Sequence, residues 1–268
     1  MKSWKIAAAL IGAVVLGVGW DIWQASENLF PAGSIGVPQP PVASAPAEPS
    51  SSLNTSAEKE VPSFAPIPPA DISDGAVIAA ANDLAPQLVQ WLTPSEQVRK
   101  WVALVDQIAA GKLPRNYLPL DYPMTSFLAK QHHSRLMLNK ANYRRADWLI
   151  NVITNISTVS LAHAYEAWLP QLNTAFRDIG GKGGFDKRLR EAIHRVLVVQ
   201  PLNSPPDLTR LGDYYQYADP KLEQANDVEK LLWRLGPNNT ERLQSYLREL
   251  EPLLIAPIIN AKSSPAGH

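Results

Sequence analysis

Few residues in this chain stand at spacings that make chemistry. Glu191 and His194 have the Glu-x-x-His spacing that places a carboxylate and an imidazole on one helix face, as carboxylate-bridged metal bundles do. Such a bundle needs two copies and further carboxylates. The sequence holds one copy, and His163 with Glu166 runs in the reverse order, so an ordinary pair on a helix face is expected. His132-His133 offers two imidazoles to a stray metal, but neighbours on a strand face opposite ways, which suits a solvated turn better. Gly180-Gly-Lys-Gly-Gly184 invites comparison with phosphate loops. It lacks the G-x-x-x-x-G-K-[ST] pattern, no strand precedes it, and Asp186 would occupy the cap position an anion needs. It reads as a helix end and a turn.

Hydrolytic chemistry is equally thin. There is no G-x-S-x-G and no H-E-x-x-H. Zero cysteines remove thiolate nucleophiles, disulfides, Cys-held zinc and thiolate-held clusters. What remains is an acid pair drawn from residues such as Asp186 and Asp219. It would cleave a wall polymer only if both carboxylates lined one cleft about 5 to 10 Å apart. No catalytic residue, metal ligand or cofactor is expected, and a non-enzyme is favoured.

Charge says more. Lys+Arg 25 against Asp+Glu 25 gives no net charge, so the field that nucleic-acid binders use is missing and no nucleic-acid partner is expected. Locally the balance shifts. Residues 99–145 hold nine Lys/Arg against Asp106 and Asp121, whereas residues 207–251 hold nine acids against six bases. Either the two regions face each other, or the basic one meets anionic lipid or an acidic partner. The candidate binding residues are Lys112, Arg115, Arg144 and Arg145, with Arg188 and Arg234 from the second half.

The elements that must position these residues begin with an address. Ile6 to Trp20 is fifteen residues without charge, preceded by Lys2 and Lys5 and followed by Asp21. A bilayer core of about 30 Å asks for roughly 20 apolar residues, so the run is short, and a cleaved secretory signal is the rival reading. Trp4, Trp20 and Trp23 favour an anchor: tryptophan prefers the water–lipid boundary, and a helix from Trp4 to Trp23 rises about 28 Å. Lys5 can snorkel at one end. Lys2 and Lys5 then lie on the cytoplasmic side by the positive-inside rule. The expectation is a single-pass inner-membrane protein with its C-terminal domain in the periplasm.

From Pro31 to Pro69 the composition turns to Pro, Ala, Ser and Glu, with ten of the chain's 24 prolines. Such density removes amide donors and favours polyproline II over a packed core, giving a tether of up to about 120 Å. The expected organisation is an anchor over residues 1–30, a tether over 31–70, a helical domain over 71–256 and a disordered tail over 257–268.

Within the domain, helical periodicity begins near Asp71 and is expected to continue past Pro86 through Leu88, Val89 and Leu92. Thr93-Pro94-Ser95-Glu96 predicts a capping box with proline at the first helical position. Val98, Trp101, Val102, Val105 and Ile108 form the buried face of the helix it opens, and Gly111 closes it. Leu113 to Met124 should run extended over the surface. A small hairpin is expected around the turn Gln131-His-His-Ser134. Trp148, Leu149, Val152, Ile153 and Ile156 then share a helix face, and Ser157 or Thr158 caps a long helix whose apolar stripe runs from Leu161 to Ile179 and bends at Pro170. Asp186 is predicted to cap the next helix, Pro201, Pro205 and Pro206 to make the following link irregular, and Asp219-Pro220 to open another helix. A last helix, with Leu243, Tyr246, Leu247 and Leu250, should end before Pro252. The fold class expected is all-α: an irregular bundle of about seven helices with one small β-hairpin, preceded by the membrane helix.

Five stretches carry a resemblance. Gly111-Lys-Leu-Pro-Arg115, Ala141-Asn-Tyr143, Phe185-Asp-Lys-Arg-Leu189, Tyr217-Ala-Asp-Pro220 with Leu222-Glu223, and Lys230-Leu-Leu-Trp-Arg-Leu-Gly-Pro237 resemble, in order, the proteobacterial domain of unknown function 3014. The resemblance spans roughly residues 71 to 250. It implies a Gram-negative envelope protein and assigns no activity or ligand. Read with the anchor and tether, it favours a membrane-tethered periplasmic interaction or scaffold module with an envelope-protein or anionic partner. The alternatives are a cell-wall hydrolase using an acid pair and a lipid-binding helical domain with an apolar tunnel.

Overall fold

A computed structural model of the chain describes residue 69 and residues 73–255, apart from 124 and 213. The expected anchor, nearly all of the tether and the C-terminal tail lie outside the described residues. Among those described, no helix is long and apolar enough to cross a membrane.

The first helix, α1 (Asp74–Leu84), stops where Pro86 begins a 3-10 helix (Pro86–Trp91). Proline disfavours helical backbone in the residue before it, so the apolar face expected to run on is split, with Val77 on one piece and Leu88 on the other, both buried. Helix α2 (Gln97–Ala109) buries all five residues of its predicted face. Gly111, at φ +75°, ends it: its N–H and that of Lys112 donate to the carbonyls of Ile108 and Gln107 at 2.8 Å each.

The start of α2 corrects the expected capping box. Ser95 and Glu96 are left-handed, at φ +57° and +52°, and Pro94 precedes the helix instead of opening it. The N–H groups of Glu96 and Gln97 donate to the Asp74 carboxylate at 2.8 Å each. A carboxylate is a stronger acceptor than the hydroxyl the sequence offers. Thr93 is used elsewhere: its hydroxyl donates to the Leu118 carbonyl at 2.6 Å and accepts from buried Lys100 Nζ at 2.9 Å. Residues 113–123 form no helix, as expected, but the segment is pinned rather than loose. The Asp121 N–H donates to the Trp91 carbonyl at 2.7 Å, and Leu120 is buried.

Strands β1 (Ala129–His132) and β2 (Arg135–Leu138) form the expected hairpin. Next come a second 3-10 helix (Lys140–Ala146) and helices α3 (Asp147–Thr154), α4 (Thr158–Asp178) and α5 (Phe185–Leu197). Strands β3 (Asp207–Leu211) and β4 (Tyr214–Tyr217) form a second hairpin where only an irregular link was expected. It joins the first through β2 and β3, giving one antiparallel sheet in the order β1-β2-β3-β4. The architecture is therefore mostly helical with a small sheet, not all-α. Helices α6 (Pro220–Glu223), α7 (Asp227–Leu235) and α8 (Pro237–Ile255) complete it.

Local signals explain most helix ends. Ser157 accepts from the Ser160 N–H and Asp219 from the Lys221 N–H, as predicted. Asp186 is not a cap. Gly184 holds that place, Asp186 is the second residue of the helix and pairs with Arg190, and Asn173 of α4 accepts from the Phe185 N–H at 2.8 Å. Asn226 and Glu229 form a reciprocal capping box at α7. Pro252 lies inside α8 and does not end it.

Helix α2 packs against α4 and α5, and α8 packs on α3, α4, α5 and α7, so a single core with Trp101 and Trp168 fully buried links the helices. Two residues assigned to apolar stripes point out instead. Trp148 is 38% exposed and Ile179 40%.

Candidate functional site

The residues expected to bind fall on two pairs of packed elements. Lys112 and Arg115 are exposed just past the end of α2, and Arg188 on α5 reaches back to that helix. Arg144 is exposed and Arg145 half-buried on the second 3-10 helix, which packs on α7 and so on the element carrying Arg234. Arg188 is held by its own helices: Nε donates to Asp106 at 2.7 Å and Nη1 to Glu191 at 2.8 Å. Arg234 lies 5.9 Å over the ring of Tyr217.

Other sequence candidates are accounted for locally. Glu191 of the Glu-x-x-His pair accepts from Arg188. His132 and His133 are exposed at the hairpin turn, as expected, and His133, at φ +54°, turns its ring toward His132, the two Nδ1 atoms 3.1 Å apart. Among the described residues, no group of three or more His, Asp and Glu is placed to hold a metal ion. Asp186 is engaged by Arg190 and Asp219 by the Lys221 N–H. Neither lines either of the two open clefts described next.

The first cleft, about 410 Å³, lies between the ends of α2 and α5, lined by Ala109, Arg188, Glu191, His194, Arg195 and Val198. Its charges are largely spent on the protein. Arg188 serves Asp106 and Glu191, and Arg195 donates to the Ala109 carbonyl at 3.1 Å. A third pocket, among Phe127, Leu208, Tyr215, Tyr217 and Arg234, holds about 10 Å³, room for one water but not for an acyl chain.

The second cleft is different in kind. It measures about 460 Å³ and opens between the first turns of α3 and α8, lined by Asp147, Trp148, Asn151, Asn238, Asn239 and Arg242. Trp148 is fixed from behind. Its ring lies parallel to that of Tyr122, 2° between planes and 5.3 Å between centroids, and Tyr122 meets Trp91 edge-on at 5.7 Å. The pinned segment is what delivers Tyr122 to this place. On the polar side, buried Asn239 donates through Nδ2 to the Tyr143 carbonyl and to Asp147 Oδ1, at 2.8 Å each. Arg242 donates to Asn151 Oδ1 at 3.2 Å and Thr154 Oγ1 at 3.3 Å. The result is one exposed indole, held flat, with a rim of amides and one opposed pair of charges.

Below the cleft, α8 is seated by a close approach. Gly236, at φ +81°, lies against Tyr143, where any Cβ would overlap the ring. These two residues belong to two of the five stretches that carry the family resemblance. A third stretch meets the one that holds Gly236: Glu223 accepts from the Tyr217 N–H at 2.9 Å and from Lys230 Nζ at 2.8 Å, and Tyr217 packs edge-on with Trp233.

The family model described as protein of unknown function (DUF3014) matches residues 97–251, from the first residue of α2 into α8. The chain belongs to the DUF3014 family. No curated protein and no solved structure matches it. In this DUF3014 domain the stretches behind the resemblance mostly build the scaffold: a helix stop at Gly111, the Tyr143–Gly236 contact, and the junction of β4, α6 and α7. Sequence reasoning missed the cleft above that scaffold. Trp148 is expected on the apolar face of α3 with Leu149, Val152, Ile153 and Ile156, and Asn151, Asn238 and Arg242 form no motif. The usable signal was a tryptophan at the first turn of a short helix, one residue outside the stripe Leu149, Ile153 and Ile156.

Proposed function

We propose that the protein is a membrane-tethered interaction module of the Gram-negative envelope, which presents the cleft between α3 and α8 to an envelope macromolecule. The apolar run of residues 6–20 with its flanking lysines and tryptophans, and the proline-rich stretch after it, support an inner-membrane anchor and a periplasmic tether. The observation that carries the binding role is Trp148. Exposed aromatic area backed by a parallel ring is already ordered, so a partner gains contact without the entropy cost of fixing it.

Fractionation and site-specific crosslinking test this reading. Carbonate-washed inner membranes should retain the full-length chain, and its C-terminal domain should be open to protease only after the outer membrane is breached. A photo-crosslinker at Asn238 should yield a discrete adduct that a crosslinker at exposed Val159, on α4, does not. Release of a shortened chain into the soluble fraction would refute the anchor. Equal adducts at both positions, or none at Asn238, would refute the binding role.

A further inference from the structure

We infer that the occupant of the Trp148 cleft is a glycan chain, with one pyranose ring seated on the indole; this rests on the interaction-module reading and names its ligand class. Three features point to a sugar. The first is the platform: Tyr122 stacks, offset, against one face of Trp148 and holds the ring flat, and the 38% of the residue that stays exposed lies at the cleft it lines. A pyranose presents a flat patch of C–H groups that lies on an indole face, with its hydroxyls directed outward from the ring edge.

The second is the chemistry of the rim. Equatorial hydroxyls both donate and accept, and planar amides, carboxylates and guanidinium groups answer them in pairs. Asn238 is exposed and its side chain has no protein partner among the described residues. Asn151 accepts from Arg242 through Oδ1, which leaves its Nδ2 donors for a ligand. Asp147 has given one oxygen to Asn239, and the other remains an acceptor.

The third is charge. Asp147 and Arg242 oppose each other, so the cleft carries no net sign with which to favour an ionic ligand. An apolar peptide would need a longer greasy groove than one ring provides.

The test uses the full-length chain in mild detergent. Purified peptidoglycan sacculi are the insoluble probe, and chitotetraose and cellotetraose the soluble ones, read by co-sedimentation and calorimetry. Saturable binding is expected to at least one soluble probe and to the sacculi, with affinity falling by about tenfold or more in Trp148→Ala and returning in part in Trp148→Tyr. Asn238→Ala, which removes an exposed side chain, should weaken binding without lowering the melting temperature. It carries the test if Trp148→Ala fails to fold.

No binding to any probe, or binding unchanged in both alanine variants, overturns the glycan assignment. If the crosslinker at Asn238 then captures an envelope protein, the interaction-module reading survives and only the ligand class is wrong. If it captures nothing, both fail.

Discussion

The carboxylate of Asp74 accepts hydrogen bonds from the backbone N–H groups of Glu96 and Gln97, 22 and 23 residues downstream, at 2.8 Å each. One side chain on α1 thus performs the capping of α2, and the serine beside the helix does not. Asp74→Ala should cost about 1 to 2 kcal/mol, and Ser95→Ala should change stability by less than about 0.5 kcal/mol, by urea denaturation. Equal losses would mean that the local residues cap the helix.

Glycines at two helix ends separate conformation from contact. Gly180 and Gly236 both have positive φ, but a Cβ at Gly180 meets nothing within 4 Å and one at Gly236 overlaps Tyr143. Gly180→Ala should therefore cost about 1 kcal/mol, the conformational share alone. Gly236→Ala should cost more than about 2 kcal/mol and displace the start of α8, and with it the rim of the Trp148 cleft. Chemical unfolding of the two variants, with the indole resonance of Trp148 as a local probe, checks both claims.

Two buried tyrosines make stability fall in alkali. Burial pushes the Tyr165 and Tyr246 hydroxyls well up from their ordinary value, and neither makes a hydrogen bond among the described residues. Both states are protonated below pH about 10, so the contribution is complete there. Above it the unfolded chain loses the proton first, and stability declines as pH rises toward the folded values. Tyr165→Phe and Tyr246→Phe should each flatten that decline and, at neutral pH, hold or raise stability by up to about 1 kcal/mol. Guanidinium titrations at pH 7 to 11 measure it.

Glu223 ties three elements, with one oxygen on the Tyr217 N–H and the other on Lys230 Nζ. Lys230 is buried, so Glu223→Gln leaves a cation without its counter-charge. Glu223 is one-third exposed, so water screens part of the loss, and the expected cost is about 1 to 2 kcal/mol instead of the full penalty of a buried pair. Adding Lys230→Met should recover some of it. A double variant no better than the single would show that the pair is not coupled.

The helical part of this fold was legible where a whole face repeats. Val98, Trp101, Val102, Val105 and Ile108 sit at helical spacing and are all buried. What failed were features decided at a distance. Asp74 outcompetes a local capping sequence, and only the folded backbone brings it near. Pro201, Pro205 and Pro206 mask the second hairpin, although Leu211-Gly212-Asp213-Tyr214 is a two-residue turn sequence between short alternating runs. The cleft was illegible for the same reason as the cap. Asp147 and Asn239, which bond across its floor, are 92 residues apart, and no local pattern marks amides that belong together.

The sheet bears on how the chain reaches this structure. Strands β2 and β3 lie side by side, and the ion pair across them joins residues 72 apart, with all of α3, α4 and α5 in the intervening segment. Closing so large a loop before those helices have collapsed would forfeit much chain entropy, while each hairpin can form alone. The two hairpins are thus brought to register by the helices between them. Joining β2 to β3 is therefore expected to follow the collapse of α3, α4 and α5, and until it happens each half of the sheet has an open edge that a neighbouring chain could take.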